Sequence, residues 1–494
     1  MDFRKHAHVW LWLLLVGMVT FRVGAGDEFV ANTLTVSAQE RPAIAQLKGG
    51  NVVVAWQSAG SGVRSVWMRL FSAAGVPLAT NQLVFQAAGL DQCDPSVAAL
   101  EGGGFVIAWS RKLPSPADYS IAYQVFTAAG VPLAGGPLQG NLAAPPGPHL
   151  KPQVAPLFGG GFVIAWVAQK SLADQNVFHR RFLPNGTPVE GAEVQSNGLG
   201  PSPITTGDQG GARVARLSDG GFVIVYEHRP ASLVYGVRFD ASGGAIPLTG
   251  PGAGTVQFLV GTNAATEFSE PSVAGLAGGG FVVAMTASTG SAASRHVVRR
   301  SFTAAGVGGP VVTQGSHAGR WEGPQAIGLP NGEFVLAWQA YGEPGDAGAW
   351  SVWVQRFAAD GTPRLSPFMA NQANAGNQRH AALAGRADSG YWSGWQSFGV
   401  DKDDYGISVR WYDPDDEIPG RLFISRFGSA AQQQYLVTFI GMGGRVHNLQ
   451  ATEALKGAST SWATVWTTNT PTGTFSYLES GSNRPPRFFR VFTP

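Results

Sequence analysis

The segment that decides the fold is Gly102-Gly-Gly-Phe-Val-Ile-Ala-Trp109, which is followed by Phe126-Thr-Ala-Ala-Gly-Val-Pro132. From Phe105 to Trp109 the side chains form two alternating sets, and this period of two is typical of a β-strand. Both sets are apolar, which indicates a strand that is buried on both faces. The glycines before the strand and the Ala-Gly pair after Phe126 favour tight turns between strands.

The same unit occurs seven times along the chain. The large residue of its second strand recurs at spacings of 53 to 60 residues, as Trp56, Trp109, Trp166, Tyr226, Met285, Trp338 and Trp395. The aromatic residue of its third strand recurs as Phe71, Phe126, Phe182, Phe239, Phe302, Phe357 and Trp411. Each unit has room for about four strands. The repeats therefore predict an all-β fold, a seven-bladed β-propeller, and the rival interpretation is an open β-solenoid.

The two ends of the repeat region predict how the ring closes. Phe29-Val-Ala-Asn32 stands before the first unit and is similar to Phe368-Met-Ala-Asn371, which occupies an outer-strand position before the seventh unit. The seventh unit has no such segment after it. We therefore predict that residues 28–35 supply the outer strand of the seventh blade, so that an N-terminal strand closes the propeller and removes its open edge.

The chain divides into four predicted segments. Arg4 and Lys5 precede the apolar run Val9–Phe21, a pattern that is typical of a secretory signal peptide, with an uncleaved membrane anchor as the alternative. After residue 412 the repeat stops, and short strand candidates follow at intervals of about 10 to 15 residues, a spacing typical of a small β-sandwich. The segments are a signal peptide at 1–25, the propeller at 26–412, a linker at 413–420 and a C-terminal β-sandwich at 421–494. We expect a secreted or cell-surface protein without a transmembrane span once the signal is cleaved.

The charge and the cysteine count exclude several classes of protein. Charged residues make up only 13% of the chain, and beyond residue 25 the basic and acidic residues are equal in number. Proteins that bind nucleic acid present a dense basic face, and no dense cluster of Lys and Arg is present, so we expect no nucleic-acid partner. The single cysteine excludes an internal disulfide framework and a zinc cluster built from cysteines.

Two parts of the sequence resemble known families. The Gly-Gly-Phe-Val-Ile-Ala-Trp and Phe-x-x-x-Gly-x-Pro units, over roughly residues 40–412, resemble the β-propeller repeats of large secreted bacterial proteins. The tail, with Leu449-Gln-Ala-Thr452, Trp462 and Arg487-Phe-Phe-Arg-Val491, resembles terminal β-sandwich modules of secreted proteins from Verrucomicrobia and Planctomycetes. The resemblance implies export and surface association, and it implies no reaction and no catalytic residues.

The loops on one face of the ring hold the candidate ligand site. In a propeller, the loops that leave the second strand and the loops that enter the next blade gather on the same face, and they carry the residues that do not repeat. Aromatic rings there can stack on sugars while polar groups bind the hydroxyls. The candidate ligand-binding residues are Tyr119, Glu227, His228, Arg229, Glu270, Arg320, Trp321, Tyr341, Trp350, Arg379 and His380. We predict a non-enzymatic binding or surface-interaction protein whose ligand is a glycan or a protein.

Two other functions stay open. A polysaccharide-active hydrolase or lyase needs a carboxylate pair, or a set of His, Tyr and Arg, in one cleft. Glu227, Glu270, Asp403 and His380 are the candidates to meet at the channel mouth. The third interpretation is a purely structural segment of a cell-envelope assembly. Acidic and aromatic residues that cluster in one cleft would favour the enzyme, and residues that scatter would count against it.

Calcium is the one metal that the sequence suggests. Asp401-Lys-Asp-Asp-Tyr-Gly406 partly follows the Asp-x-Asp-x-Asp-Gly loop, and Asp401 and Asp403 are the predicted ligands. The loop departs from the pattern at Tyr405, and the distal glutamate is absent. A solvated acidic loop is the alternative, and no other cofactor is expected.

Overall fold

A computed structural model gives the fold. It describes residues 28–85, 89–114, 118–133, 135–142, 147–171, 174–248, 255–261, 266–315, 319–343, 348–364, 366–372, 376–414, 422–427, 434–440, 447–453, 463–468, 474–480 and 488–492. The predicted signal peptide at 1–25 and most of the predicted linker lie outside these residues. Within them, no helix combines the length and the apolar character needed to cross a membrane.

Seven small antiparallel sheets form a seven-bladed β-propeller, as the repeats predict. Blade 1 contains β2 (Gln39–Gln46), β3 (Val52–Ser58), β4 (Ser65–Phe71) and β5 (Gln82–Leu83). Blade 2 contains β6 (Gln92–Ala99), β7 (Phe105–Lys112), β8 (Tyr119–Phe126) and β9 (Leu138–Gln139). Blade 3 contains β10 (His149–Pro156), β11 (Phe162–Ser171), β12 (Asp174–Phe182) and β13 (Val194–Gln195). Blade 4 contains β14 (Gln209–Arg216), β15 (Phe222–His228), β16 (Leu233–Phe239), β17 (Ala245–Ile246) and β18 (Gln257–Leu259).

The remaining blades repeat this order. Blade 5 contains β19 (Glu267–Gly275), β20 (Phe281–Ser288), β21 (His296–Phe302) and β22 (Gly308–Thr313). Blade 6 contains β23 (Arg320–Gly328), β24 (Phe334–Tyr341), β25 (Trp350–Phe357) and β26 (Phe368–Met369). Blade 7 contains β27 (Gln378–Gly385), β28 (Tyr391–Phe398), β29 (Tyr405–Tyr412) and, from the N-terminal end, β1 (Phe29–Val30). Short 3-10 turns lie at Gly60–Gly62, Phe158–Gly160, Ser196–Gly198, Arg229–Ala231 and Ala292–Ser294.

The second strand of each blade is buried on both faces, which confirms the interpretation of its sequence. In blade 2, Phe105 and Trp109 pack against side chains of blade 1, while Val106 and Ala108 pack against blade 3. The turn before this strand needs glycine. A Cβ on Gly104 would lie 2.2 Å from the carbonyl oxygen of Phe126, closer than any side chain could approach.

The hydrophobic core is divided into seven clusters, one at each interface between neighbouring blades. The large second-strand residue is fully buried in every blade. Trp56, for example, lies against Trp392 and Ala384 of blade 7. Removing such a buried aromatic side chain typically costs about 3–5 kcal/mol, so these residues account for a large part of the adhesion between blades.

The ring is closed by the N-terminal strand. In β1, Phe29 pairs with Val409 and Val30 pairs with Ser408 of β29. The inner strands β2 and β27 are neighbours, so blade 1 follows blade 7 around the ring. This excludes the open solenoid. Asn32 fixes the junction because its Oδ1 accepts the backbone N–H of Ile407 at 2.8 Å.

The C-terminal segment forms two further antiparallel sheets. One contains β30 (Leu422–Phe427), β31 (Gln434–Ile440) and β34 (Thr474–Ser480). The other contains β32 (His447–Thr452), β33 (Ala463–Thr468) and β35 (Phe488–Phe492). These short strands agree with the strand candidates that the sequence predicts after residue 412. The boundaries of the linker and of the C-terminal domain stay predictions.

Deletion of residues 27–35 is expected to lower the melting temperature sharply, because it removes β1 and the Asn32 contacts and leaves β29 as an open edge. Asn32→Ala is the finer test, since a lost buried hydrogen bond costs about 1–3 kcal/mol. Its matched control is Asn185→Ala, which changes an exposed asparagine in a blade 3 turn. Thermal unfolding followed by circular dichroism is the measurement, and an unchanged melting temperature for the deletion would contradict closure by β1.

Candidate functional site

Every inner strand carries a β-bulge at the same place. In blade 1, Glu40 pairs with Gln57 and Ala43 pairs with Ala55, so two residues of β2 lie opposite the single residue Trp56. The first bulge residue of each blade has a left-handed backbone, with φ between 51° and 61°. These seven residues, which we call the bulge ring, are Arg41, Asp94, Lys151, Gly211, Glu270, Gly323 and His380. Such strain in residues other than glycine is concentrated at functional sites.

A hydrogen bond from the preceding blade holds each bulge in six of the seven blades. The acceptor is the side chain that directly follows the large second-strand residue. The backbone N–H of Asp94, for example, donates to Gln57 Oε1 at 3.0 Å. The other pairs are Lys151 with Ser110, Glu270 with Glu227, Gly323 with Thr286, His380 with Gln339 and Arg41 with Gln396. The ring is therefore fixed by the blades themselves and not by mobile loops.

The bulge ring lines one cavity of about 540 Å³ in the central channel, which we call the channel cavity. Further along each inner strand, the residues three positions after each bulge add an apolar part to the lining, formed by Ile44, Val97, Val154, Val214, Val273, Ala326 and Leu383. The other polar side chains in the lining are Arg213, Glu227, Arg229 and Gln339, together with Ser96, Gln153, Ser272 and Gln325. The lining therefore combines charged and polar groups with apolar ones, which is the usual composition of a small-ligand site.

Each carboxylate in the channel cavity has a fixed position. Asp94 forms an ion pair with Arg41, with an N···O distance of 3.5 Å. Glu227 pairs with Arg229 at 3.3 Å. Glu270 Oε2 accepts the hydroxyl of Thr286 at 2.7 Å and the backbone N–H of Gly323 at 3.0 Å. Fixed acceptors of this kind need no rearrangement when a ligand arrives.

Blade 4 shows why some of these side chains can enter the cavity. Its inner strand has Gly210-Gly211 where most blades have a side chain at the bulge. A Cβ on Gly210 would lie 2.3 Å from the guanidinium of Arg229, and one on Gly211 would lie 2.9 Å from the carboxylate of Glu227. The two glycines therefore make room for the Glu227–Arg229 pair.

His380 is the one imidazole in the cavity lining. Desolvation, followed by the charges of Arg41 and Arg379, lowers the pKa of His380 to about 4. The ring is therefore neutral at neutral pH, and one of its nitrogens can accept a proton.

The sequence-predicted ligand residues fall into three groups. Glu227, Arg229, Glu270 and His380 line the channel cavity. Arg320, Tyr341, Trp350 and Arg379 form a second group beside it. In that group the guanidinium carbons of Arg320 and Arg379 lie 4.4 Å and 4.2 Å from the centre of the Trp350 ring. The Tyr341 ring lies 5.5 Å from Trp350 and is 45% exposed.

Three predicted residues lie elsewhere. Trp321 is only 2% exposed, and its Nε1 donates to Glu343 at 2.7 Å, so it belongs to the core between blades 5 and 6. Tyr119 donates its hydroxyl proton to Asp91, and burial together with this bond raises its pKa to about 12. The His228 ring packs edge-on against Tyr235. None of these three residues is in the lining of the channel cavity.

Sequence reasoning missed four of the charged residues in the cavity, Arg41, Asp94, Lys151 and Arg213, because it looked for function in loops. A signal was present for three of them. Arg41, Asp94 and Lys151 each stand before a proline that recurs at the repeat spacing. Proline cannot donate to a strand ladder and is typical of bulges. A variable charged residue before that proline marks the bulge ring.

The predicted calcium ligands accept hydrogen bonds from other residues of the protein. Asp401 Oδ2 accepts the side-chain amide of Asn32 at 2.9 Å, and Asp403 Oδ2 accepts the backbone N–H of Ser37 at 2.8 Å. Both bonds tie the loop after β28 to the N-terminal segment. In the part of the chain that is described, no group of three His, Cys, Asp or Glu residues is arranged to hold a metal ion. Calcium binding stays a prediction.

Comparison with known proteins gives structural likeness only. No family model matches the chain, and no curated protein matches its sequence. A protein of unknown function from Dyadobacter fermentans DSM 18053 is 11% identical, with a TM-score of 0.49, over 78% of this chain and 98% of its own. The polysaccharide lyase Uly1 is 12% identical, with a TM-score of 0.49, over 77% and 91%. An α-L-arabinanase from Penicillium chrysogenum, complexed with arabinobiose, is 13% identical, with a TM-score of 0.42, over 79% and 98%. At these identities no residue role transfers.

Lys151→Gly is expected to raise the free energy of unfolding by about 0.5–1 kcal/mol. The change relieves a left-handed backbone, which costs about 1–2 kcal/mol. Glycine also has more conformational freedom in the unfolded chain, and this offsets about 0.5–1 kcal/mol of the gain in stability. Denaturant unfolding measures the change.

The matched control for this change is Gly323→Ala, the reverse change in the blade 6 member of the bulge ring. The nearest atom to a Cβ on Gly323 is 3.5 Å away, an ordinary contact, so only the backbone effect remains. It should destabilise the protein by about 1 kcal/mol. A destabilised Lys151→Gly would show that the bulge ring is not strained.

Proposed function

We propose that this chain is a polysaccharide-active enzyme, a hydrolase or a lyase, whose reaction takes place in the channel cavity. The observation that carries the proposal is the meeting of Glu227, Glu270 and His380, from three different blades, in one cavity of about 540 Å³. Cavities of about 300–1,000 Å³ are typical of small-ligand sites. Asp403, the fourth candidate from the sequence, is not in that lining and has no part in the proposal.

Two routes of glycosidic cleavage use these groups. In hydrolysis, one carboxylic acid gives its proton to the leaving oxygen, while a second carboxylate takes a proton from the water that attacks the anomeric carbon. Glu227 and Glu270 supply that pair. In elimination, a base removes the proton beside a uronate carboxylate, a carbon–carbon double bond forms, and the bond to the glycosidic oxygen breaks as that oxygen takes a proton from an acid or from water and leaves as a hydroxyl group. His380 is the candidate for that base, because its imidazole is neutral and can accept a proton.

Glu227→Gln is expected to reduce polysaccharide turnover about 100-fold or more, the usual contribution of a general acid or base. The change should not harm the fold, because Gln57, Gln339 and Gln396 occupy the same position in three other blades and accept the same hydrogen bond. New reducing ends and the ultraviolet absorbance of unsaturated products are measured together, since the second appears only with elimination. Glu101→Gln, at the opposite end of the ring, is the control.

The outcomes of this experiment are distinct. Turnover by the wild type that falls only in Glu227→Gln supports the site. Turnover that is equal in both variants would remove Glu227 from the reaction. No turnover of either acidic or neutral polysaccharides by the wild type would reject the proposal that the protein is an enzyme.

The pH dependence of activity tests His380. If the neutral imidazole is the base, activity should stay constant from neutral pH to about pH 5 and fall near pH 4, whereas an unperturbed histidine would lose activity near 6.5. The folded-state pKa lies below the unfolded one, so stability also falls as the pH decreases through this window. Assays therefore run well below the melting temperature, with circular dichroism at each pH. His380→Asn keeps a residue that tolerates the left-handed backbone, and an unchanged rate in this variant would exclude His380.

A non-enzymatic glycan-binding protein is the second candidate. It is favoured by the exposed ring of Tyr341, which packs against the buried Trp350 next to the cavity and to which no step of the reaction is assigned. Binding on a glycan array without turnover, lost on Tyr341→Ala, would support it. We also propose export of the protein, on the basis of the apolar segment at 9–21, and mass spectrometry of the mature N-terminus would test it.

A further inference from the structure

Blade 4 departs from the repeat at its bulge and in the contact that this bulge makes with the preceding blade. Its bulge residue is Gly211, a glycine that it shares only with blade 6, and the preceding blade has Val167 where six blades have a polar acceptor. Residues that are the same in every blade make the contacts that hold the ring together. Positions where one blade differs from the other six are free to serve a ligand.

The strongest departure is two residues after the bulge. This position is small or uncharged in six blades, as Ala43, Ser96, Gln153, Ser272, Gln325 and Ala382. Where it is serine, the side chain binds the next blade: Ser96 Oγ accepts the backbone N–H of Val154 at 3.1 Å. Blade 4 has Arg213 at this position, and Arg213 lines the channel cavity.

Arg213 has few partners for its charge. Its Nη1 donates to the carbonyl oxygen of its neighbour Ala212 at 3.0 Å, and its Nε is buried without a hydrogen-bond partner. Among the described residues it forms no ion pair, unlike Arg41 and Arg229 at the mouth of the same cavity. Burial lowers the pKa of Arg213, and the attraction of the nearby carboxylates Glu227 and Glu270 does not outweigh it. A partly buried guanidinium that is not neutralised has a strong affinity for an anion.

The charges of the whole lining point the same way. The cavity holds the cationic side chains of Arg41, Lys151, Arg213 and Arg229 against the carboxylates of Asp94, Glu227 and Glu270. Two of the carboxylates are already paired with cations and the third is hydrogen-bonded, as described above. Lys151 and Arg213 have no acidic partner within the described ranges, so their charge is available to a ligand.

We propose that Arg213 is the recognition residue for an anionic group, the carboxylate of a uronic acid or a sulfate ester, on a sugar unit bound in the channel cavity. The proposal rests on the proposed function, because it assumes that the cavity accepts a saccharide. The planar guanidinium can donate two parallel hydrogen bonds to a carboxylate or a sulfate. The substrate class is therefore an acidic polysaccharide.

The test is a binding measurement, so that it does not depend on turnover. Calorimetry compares galacturonate and glucuronate oligosaccharides with their carboxyl-reduced neutral forms and with a sulfated neutral oligosaccharide. We expect the wild type to prefer the charged probes. Arg213→Gln should weaken the binding of these probes about 10- to 100-fold and leave the neutral probes nearly unchanged, since a bond to a charged group contributes about 1.5–3 kcal/mol. The uronate and sulfate arms show which anion is recognised.

The matched control lies on the same strand. Arg216 is three residues further along β14, outside the channel cavity, where it pairs with Glu101 at 3.0 Å and lies 4.4 Å from the ring of Phe158. Arg216→Gln should bind every probe as the wild type does. If Arg213→Gln fails to fold, Lys151→Met tests the same anion preference at an exposed position and should reduce it in the same direction.

The outcomes separate this inference from the proposed function. Charged probes bound through Arg213 with no cleavage of any polysaccharide would reject the enzyme and keep the anion site. Cleavage of neutral polysaccharide that is unaffected in Arg213→Gln would keep the enzyme and overturn the anion site. A folded Arg213→Gln that binds charged probes as tightly as the wild type, or a wild type that binds no probe, would also overturn it.

Discussion

The ring depends on the one large side chain of each second strand, which packs against the preceding blade around the ring. Two successive residues of the second strand point to opposite faces of the sheet. In blade 1, Trp56 is buried against blade 7, while Gln57 accepts the backbone N–H of Asp94 in blade 2. Six of the seven blades thus hold one neighbour by apolar contact and the other by a hydrogen bond, and blade 3 lacks the hydrogen bond because it has Val167 at this position. Repetition of this pair gives seven similar interfaces, and β1 supplies the strand that the seventh blade lacks.

The bulge that permits this packing also creates the candidate site. Two residues of the inner strand lie opposite each large side chain. The first of them faces the channel and has a left-handed backbone conformation. Glycine would adopt this conformation with the least strain, as Gly211 and Gly323 do. Five blades nevertheless carry a charged or titratable side chain at the position. Side chains at a position where glycine would be less strained are typical of a functional site.

The sequence was sufficient for the fold and only partly sufficient for the site. Hydrophobic alternation and the repeat spacing encode strands, blade number and ring closure, since each of these is a local or periodic property. The site is neither. Arg213 and His380 lie in different blades, far apart in sequence, and they meet because inner strands converge on one axis. Trp321 failed as a surface candidate because it stands two residues before a bulge, a position that is buried in the other blades, as with Gln39 and His149.

The candidate site lies on strands, and this explains how cations and carboxylates can stay apart in one cavity of the folded protein. Loops would have to be ordered by the ligand, at a cost in conformational entropy. Here six of the seven backbone amides of the bulge ring are already bonded to the preceding blade. The glutamates that accept two of those bonds, Glu227 and Glu270, cannot swing toward Arg213 without breaking them. The cavity therefore keeps a cation and two carboxylates apart in a fixed arrangement. A ligand that brings an anionic group to Arg213 and a reacting bond to the glutamates would satisfy both without moving the ring.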